Sequence, residues 1–467
     1  MRASAILDCT SSIYLSSMRS SSAEGRRVLV CYSNSSTHTD TTLRYLESFL
    51  RYGSASYYYL NVTGDVVPAL DLDEFDAVIL GYCARLCFSG YVSEKFLVML
   101  ERYKGIKAVV IQDEYDYVER ERCALDRVSP DVVFTCIPQN QRELIYPSSR
   151  YPSTRFVQVL TGYYQPLLNG RSRRPLHERT IDIGYRARSL GIRYGRLARL
   201  KYDIGILFSE RAKSTRLAVD ISLDDSKRLY GNDWLLFLSN CKAVLGSPSG
   251  SNIFDFDGSI AEMSGRYESL SPHEQSQLVA RIESLDNTYC MNQISPRIFE
   301  AASVGAVQVL YRDDYSGVLQ PGIHYIPVEL DGSNVDSVLD LLSDVSRLQE
   351  IADNAYNHLI ASGNYGYDKL VALAEASIFP NSLPQRPVLE SPIQLEKSFT
   401  DTSLDPRIER PTLAPRPFDS YQLRSLLVVL RQERVRRTLY LMYPRFYSLF
   451  RALISMVPFG RRVVRRG

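Results

Sequence analysis

The sequence lacks any apolar run of roughly 18 residues or more, so no membrane-spanning helix is expected. It has few features of the non-globular classes either: its 467 residues are 45% hydrophobic and 23% charged. That balance excludes a wholly disordered chain, a collagen-like fibre and a small disulfide scaffold. A chain of this length predicts two to three domains with a sizeable core.

Residue patterns for metal, dinucleotide and triad chemistry are also missing. The eight cysteines are scattered, and several fall in apolar strand-like runs, which is typical of reduced thiols in a cytoplasmic protein. Cys83 and Cys87 have no second Cys/His pair at a useful spacing, and no two of the five histidines have metal spacing. Residues 33–36 (SNSS) follow the first strand without a glycine, which argues against a dinucleotide or P-loop site.

The net charge of +2 conceals a strong asymmetry along the chain. Residues 421–467 hold eleven arginines and one acid, a net charge of +10, which leaves −8 on the other 420 residues. Aromatic and apolar residues alternate with these arginines, and this composition predicts a helix on an anionic membrane surface. Alternatives are nucleic acid binding, which no recognised fold supports, and packing of this tail against the acidic body.

Apolar strand-type runs alternate with amphipathic helical patterns from residue 26, a rhythm typical of βαβ units and parallel sheets. It breaks at the basic stretch 170–175 and then resumes, so we expect an α/β protein with two Rossmann-like, doubly wound domains facing across a cleft. The predicted organisation is a flexible N-terminus (1–25), a first Rossmann-like domain (26–170), a second Rossmann-like domain (176–378), a proline-rich linker (379–420) and a basic amphipathic tail (421–467).

The segment 294–310 carries the sharpest signal for a site. Ser295 is a good N-cap, Pro296 suits the first helical position, and Gly305 can end the helix. The free N–H groups of such a helix start suit a phosphate. Glu300 follows Arg297 on the same face and could accept hydrogen bonds from ribose hydroxyls; a buried Arg–Glu pair that braces the helix is the alternative.

Residues 295–305 (SPRIFEAASVG), followed by a strand and by 321–328 (PGIHYIPV), resemble the second half of glycosyltransferases with the two-domain GT-B fold, in particular group-1 and CgeB-like members. Residues 107–115 (KAVVIQDEY) and 181–186 (IDIGYR) extend the similarity over roughly 27–375. The resemblance implies transfer of a sugar from a nucleotide-diphosphate sugar to a glycan, lipid-linked or protein acceptor, in surface polysaccharide or glycoconjugate synthesis.

The resemblance also implies that the first domain (26–170) binds the acceptor and the second (176–378) binds the nucleotide sugar, and it implies roles for individual residues of the second domain. Glu300 would hold the donor ribose, the helix start Ser295-Pro296-Arg297 would face the diphosphate or sugar, and His324 could reach the donor. Asn292 stands where many retaining members carry a second Glu, so the stereochemistry stays open. Because this fold generally uses Arg and Lys instead of a metal, no cofactor and no metal are expected.

Charged residues that follow strands are the candidate catalytic groups. Arg186, ranked above Arg188, and Lys201 would stabilise the departing diphosphate, with ordinary solvated charge as the alternative. Asp113 or Glu114 would act as the base for the acceptor hydroxyl, with a helix-cap role as the alternative.

The triplet Asp255-Phe-Asp257 could hold Mg²⁺ or Mn²⁺, although a loop that lines the sugar pocket is favoured. Together these features predict a cytoplasmic glycosyltransferase, peripheral at the inner membrane face and not bound to nucleic acid. The alternatives are a non-catalytic protein of the same fold that binds a nucleotide or glycan, and a sugar-nucleotide epimerase.

Overall fold

The computed structural model describes residues 25–37, 39–64, 70–165, 173–286 and 288–380. The predicted flexible N-terminus, proline-rich linker and basic tail therefore lie outside the described residues, apart from a few at their edges, and so does the separate unit Pro415–Gly467. Within the described ranges, no helix combines the length and hydropathy that crossing a membrane requires.

The first lobe, residues 25–165, is built on six parallel strands in the order β2-β1-β3-β4-β5-β6. The four central strands β1, β3, β4 and β5 are short runs rich in buried apolar residues, as is typical of parallel sheets flanked by helices, whereas the edge strands β2 and β6 are only partly buried. The elements are β1 (Arg27–Tyr32), α1 (Asp40–Tyr52), β2 (Ser56–Asn61), β3 (Ala77–Leu80), α2 (Glu94–Arg102), β4 (Ile106–Val110), α3 (Val118–Val128), β5 (Val132–Thr135), α4 (Gln139–Ile145) and β6 (Arg155–Gln158).

The second lobe, residues 173–366, has five parallel strands in the order β11-β10-β9-β7-β8. Its elements are β7 (Ile181–Arg186), α5 (Gly195–Arg211), β8 (Val219–Ser222), α6 (Gly231–Asn240), β9 (Cys241–Gly246), α7 (Ser259–Gly265), α8 (Pro272–Leu285), α9 (Pro296–Ser303), β10 (Val307–Tyr311), β11 (Ile326–Val328), α10 (Val335–Leu341) and α11 (Val345–Tyr356). The final described helix, α12 (Tyr367–Ile378), follows the second lobe in sequence.

The predicted fold class is confirmed: two parallel sheets, each flanked by helices, form two α/β lobes. In each sheet the second strand of the lobe pairs on one side of the first and the third strand pairs on the other side. The chain therefore reverses its winding direction at the first strand of each sheet. Crevices at the carboxyl ends of such strands are where open α/β sheets bind ligands.

Helix α12 packs on the first lobe, although the sequence places its residues in the second. Tyr367, Leu370 and Val371 are buried in the core of the first lobe. The carboxylate of Glu375 accepts hydrogen bonds from the Ser54 backbone N–H at 2.6 Å and from the Tyr57 hydroxyl at 2.7 Å. The sequence shows the amphipathic character of this helix but not which lobe supplies its partner surface.

Direct contacts join the two lobes beside the cleft. Asp116 of the first lobe lies between Arg85, at 3.0 Å, and Arg193 of the second lobe, at 3.2 Å. The backbone of Asp255 donates to the Tyr115 carbonyl at 2.9 Å and accepts from the Val118 N–H at 2.9 Å. The residues that follow β4 therefore touch the second lobe, so side chains from both sheets can meet there.

Candidate functional site

The second lobe contains a cavity of about 270 Å³ between its sheet and helices α6 and α9, which we call the basic pocket. Apolar side chains from the sheet and both helices form its walls, and four cations stand around it. Among the described residues that line it, none is acidic. The main lining residues are Leu238, Val244, Ile298 and Leu310 on the walls, and Arg188, Lys201, Arg228 and Arg297 among the charged groups.

The start of α9 contributes Ser295 and Arg297 to the basic pocket. The Ser295 hydroxyl caps the helix by accepting from the Arg297 N–H at 3.4 Å, and Pro296 occupies the first position as predicted. The Arg297 guanidinium donates to the Arg186 carbonyl at 2.7 Å and lies 5.2 Å from the ring centre of Trp234. The helix dipole and an exposed guanidinium thus act at the same wall of the pocket.

Lys201 projects from α5 into the basic pocket, where its Nζ donates to the Ser249 hydroxyl at 3.4 Å. Burial, together with the charges of Arg297 and Arg188 and against the opposing charge of Asp113, lowers the pKa of Lys201 to about 8. Three cations, Arg188, Lys201 and Arg297, form no ion pair with any described carboxylate. This excess positive charge suits an anionic ligand.

Asp113 lies on the first-lobe side of the site, exposed to solvent, in the loop after β4. Its φ of 56° places a non-glycine residue in the left-handed region, and the Tyr115 hydroxyl donates to its carboxylate at 2.6 Å. The charge of Asp113 raises the pKa of Lys201 of the other lobe, so the two groups lie within electrostatic range of each other, although Asp113 does not line the basic pocket. Its role as a base stays a prediction.

Glu114, in the loop after β4, is buried against the end of β5 and does not line the basic pocket. Its carboxyl group accepts from the Thr135 hydroxyl and from the Cys136 N–H at 3.2 Å. Burial raises the pKa of Glu114 to about 8, so the group is largely protonated at neutral pH. A protonated, enclosed carboxyl is poorly placed to accept a proton from an acceptor hydroxyl.

Glu114→Gln is expected to stabilise the protein at pH 8 and to leave its stability nearly unchanged at pH 5. The folded state keeps a proton that the unfolded chain, with an ordinary pKa of 4.5, releases, so stability falls as pH rises between 4.5 and 8. Glutamine removes that dependence: its carbonyl can accept from the Cys136 N–H, and its amide can donate to the Thr135 hydroxyl, whose bond then reverses direction. Thermal unfolding at the two pH values measures the effect, with Glu262→Gln on the exposed surface as the control; equal shifts at both pH values would contradict it.

Arg186 and Arg188 differ in their ion-pair partners and in their exposure. Arg186 pairs with Asp220 at 2.8 Å and lies 4.2 Å from the ring centre of Phe237, so its charge is already balanced. Arg188, two residues later, is exposed and lines the basic pocket. The structure therefore places the lower-ranked arginine at the candidate site, and Arg186 beside it as a packed ion pair.

Glu300 lies on α9 but lines a different cavity, of about 20 Å³, with Pro296 and with Thr41 and Arg44 of the first lobe. The indole N–H of Trp234 donates to its carboxylate at 2.8 Å. Trp234 also lines the basic pocket, so the indole lies between Glu300 and Arg297. Glu300 thus faces the gap between the lobes, adjacent to the cations, and its contact with a ribose stays a prediction.

Asn292 and His324 are held in structural contacts away from the basic pocket. Asn292 donates to Asp313 at 2.7 Å and accepts from Asn252 at 2.9 Å. His324 is buried, accepts from the Gln320 N–H at 3.1 Å and stacks on His358 with ring centres 4.2 Å apart. Neither side chain lines the basic pocket.

The two acids of residues 255–257 act as caps for α7. Asp255 accepts from the Gly258 and Ala261 backbone N–H groups, each at 2.9 Å, and Asp257 accepts from the Ser259 N–H at 2.9 Å. In the part of the chain that the structure describes, no group of three or more His, Cys, Asp or Glu side chains is placed to hold a metal ion. The expectation of a metal-independent reaction remains a prediction.

Three residues of the basic pocket were not identified from the sequence: Arg228, Trp234 and Gln308. Arg228 pairs with Asp225 at 3.3 Å. Gln308 is only 1% exposed, and its amide nitrogen has no hydrogen-bond partner among the described residues. A single polar residue within the apolar run VQVLY of β10 was the available signal, but only the fold shows that it faces a cavity.

No protein-family model and no curated protein matches this sequence. The family-level resemblance to group-1 and CgeB-like proteins therefore stays a prediction.

Solved structures with a similar backbone include an α-glucosyltransferase in complex with UDP, at 11% identity and a TM-score of 0.46, covering 76% of this chain and 100% of that one. They also include Anabaena HepE in complex with UDP-glucose, at 12% identity and a TM-score of 0.42, covering 75% and 99%. Sucrose-phosphate synthase from Thermosynechococcus elongatus, at 10% identity and a TM-score of 0.40, covers 76% and 100%. Scores below 0.5 describe a general likeness of backbone and identify no activity for this chain.

Proposed function

We propose that this protein is a glycosyltransferase that moves a sugar from a nucleotide-diphosphate sugar to an acceptor hydroxyl. The observation that supports this most is the basic pocket, in which Arg188, Lys201 and Arg297 surround an apolar cavity and have no carboxylate partner among the described residues. A suitable occupant combines strong negative charge with a flat group whose faces can pack against apolar walls. A nucleoside diphosphate has both properties.

In this proposal the acceptor oxygen attacks the anomeric carbon of the donor sugar while the bond from that carbon to the phosphate oxygen breaks. Negative charge then accumulates on the departing diphosphate, where Lys201, Arg297 and the positive end of the α9 dipole stabilise it. Asp113, across the cleft, takes the proton of the acceptor hydroxyl. The sugar, the linkage and the anomeric outcome follow from contacts that the bound substrates would make.

A binding screen followed by a turnover assay tests the proposal. Isothermal titration calorimetry with UDP, GDP, CDP and dTDP is expected to show binding of at least one nucleotide, and the matching nucleotide sugars should release that nucleotide in the presence of a glycan or lipid-linked acceptor. Binding without release would favour the non-catalytic alternative, and interconversion of sugars without an acceptor would favour the epimerase. Failure to bind any of the four nucleotides would overturn the proposal.

The affinity for a nucleoside diphosphate is expected to fall as pH rises above about 8. Lys201 loses its charge there, and a bound diphosphate favours the charged form, so binding near pH 8 should also take up protons. Lys201→Met should weaken binding about tenfold or more at pH 7 and remove most of this pH dependence. Titrations in buffers of different ionisation enthalpy measure the uptake, with the exposed Lys213→Met as the control; an unchanged pH profile in Lys201→Met would contradict it.

We further propose that the acceptor is membrane-associated and that residues 421–467, with a net charge of +10, bring the protein to an anionic surface. Each Arg near such a surface contributes about 1 kcal/mol. Co-sedimentation with phosphatidylglycerol vesicles tests this. Serine at positions 461, 462, 465 and 466 is expected to reduce the bound fraction severalfold, and equal binding of the variant would refute the idea.

A further inference from the structure

Gln308 has an unusual position within the second lobe. It is the second residue of β10, between the buried Val307 and Val309, and is itself 1% exposed. Its amide nitrogen meets no acceptor among the described residues. Because a buried donor without a partner destabilises the folded state, such a group is unusual unless a ligand or water completes it.

The surroundings of Gln308 indicate what could complete it. Gln308 is among the residues that line the basic pocket, together with the apolar side chains of Leu238, Val244 and Leu310, and the same cavity is also lined by Lys201 and Arg297. The pocket therefore combines an apolar part that contains one primary amide with a strongly cationic part. A flat ring with a polar edge, joined to a diphosphate, matches both.

Building on the proposed function, we propose that Gln308 holds the polar edge of the nucleobase and is the residue that makes the site prefer a nucleoside diphosphate over an unsubstituted diphosphate. Its amide N–H donates to an acceptor on the base, and its carbonyl accepts from the neighbouring N–H. A ligand without a base leaves the amide unpaired, whereas a nucleotide satisfies it. A site built to hydrogen-bond a ligand group rejects the analogue that lacks the group.

Gln308 thus acts on a part of the ligand that is remote from the bond that breaks. The cations and the start of α9 recognise the diphosphate regardless of which base is attached. Replacing Gln308 should therefore reduce recognition of the base and spare recognition of the phosphates. This separation distinguishes a base contact from a general defect of the pocket.

The test compares UDP, GDP, CDP and inorganic pyrophosphate by calorimetry on the full chain, for the wild type, Gln308→Met and Gln277→Met. Methionine has a similar length and no polar group, and Gln277 is an exposed glutamine of α8 that serves as the matched control. We expect Gln308→Met to bind the preferred nucleotide about tenfold or more weakly, with unchanged affinity for pyrophosphate and smaller differences between bases. The ligand-free variant should melt at or above the wild-type temperature because the unpaired donor is gone.

Equal nucleotide affinity in Gln308→Met and the wild type would overturn the inference. Parallel loss of nucleotide and pyrophosphate binding, or a lower melting temperature with loss of both, would also overturn it, since each indicates a collapsed pocket. A different result would overturn the proposed function itself: a wild type that binds neither the nucleotides nor pyrophosphate. A wild type that binds pyrophosphate as tightly as every nucleotide overturns the inference about Gln308 and leaves the anion site in place.

Discussion

Arg297→Met is expected to weaken nucleoside diphosphate binding by about 10- to 100-fold at pH 7, the range for losing hydrogen bonds to a charged group. The guanidinium is exposed at the start of α9, lines the basic pocket and has no ion-pair partner among the described residues, so it is available to a diphosphate. Its contacts with the Arg186 carbonyl and the Trp234 ring are few. The melting temperature should therefore change little.

The same substitution has a second, opposing effect on Lys201. Arg297 lowers the pKa of Lys201, so its removal raises that pKa and keeps the lysine charged to higher pH. The residual affinity of Arg297→Met should accordingly persist to higher pH than that of the wild type. Calorimetric titrations from pH 7 to 9 test both effects, with Arg199→Met, an exposed arginine of α5 paired with Glu283, as the control. If Arg297→Met binds the nucleoside diphosphate as tightly as the wild type, the start of α9 is not part of the donor site.

Asp116→Asn is expected to destabilise the protein by about 3 to 5 kcal/mol, the cost of breaking a buried ion pair by removing one partner. The Asp116 side chain is 5% exposed and lies between the half-buried guanidinium groups of Arg85 and Arg193. Without the carboxylate, the two guanidinium groups lose their shared ion-pair partner, and of the two nearby acids only Asp113 still acts on Arg85. Because these arginines belong to different lobes, the loss acts on the contact between the lobes.

Urea denaturation monitored by circular dichroism measures the free energy of unfolding for this variant. Asp126→Asn is a matched control: Asp126 also pairs with an arginine, Arg150 at 2.6 Å, but its side chain is 43% exposed. Exposed pairs contribute about 1 kcal/mol or less, so the control should lose little. If the two variants lose similar amounts of unfolding free energy, the buried position of Asp116 between the lobes does not make its ion pairs more stabilising than an exposed pair.

Local sequence signals predict the elements of this fold well. The apolar run of β1 forms a buried strand, and α9 begins at the Ser295 cap and ends before Gly305, whose φ of 67° lies in the left-handed region. These features depend on neighbours within a few residues along the chain. Two such series of strands and helices are also sufficient to predict two α/β lobes.

The composition of the candidate site is harder to predict because it depends on long-range packing. Arg186 directly follows a predicted strand, yet Asp220 on the neighbouring β8 balances its charge, and Arg188 lines the pocket instead. Gln308 was missed because its cavity is completed by residues of β7, α5 and α6, which are distant in sequence. Glu114 adjoins the exposed Asp113, but packing against Thr135 encloses it. Only the three-dimensional structure shows which of two nearby residues with similar chemistry is accessible to a ligand.

The docking of α12 on the first lobe means that the polypeptide passes between the lobes twice, once between residues 165 and 173 and once before Tyr367. The two passages touch: the Tyr164 N–H donates to the Tyr365 carbonyl at 2.7 Å, and the Tyr367 N–H donates to the Tyr164 carbonyl at 3.0 Å. This isolated parallel bridge between Tyr164 and Gly366 ties the two connections to each other. Any rotation of one lobe against the other about this bridge would displace the nearby residues least and the most distant residues most.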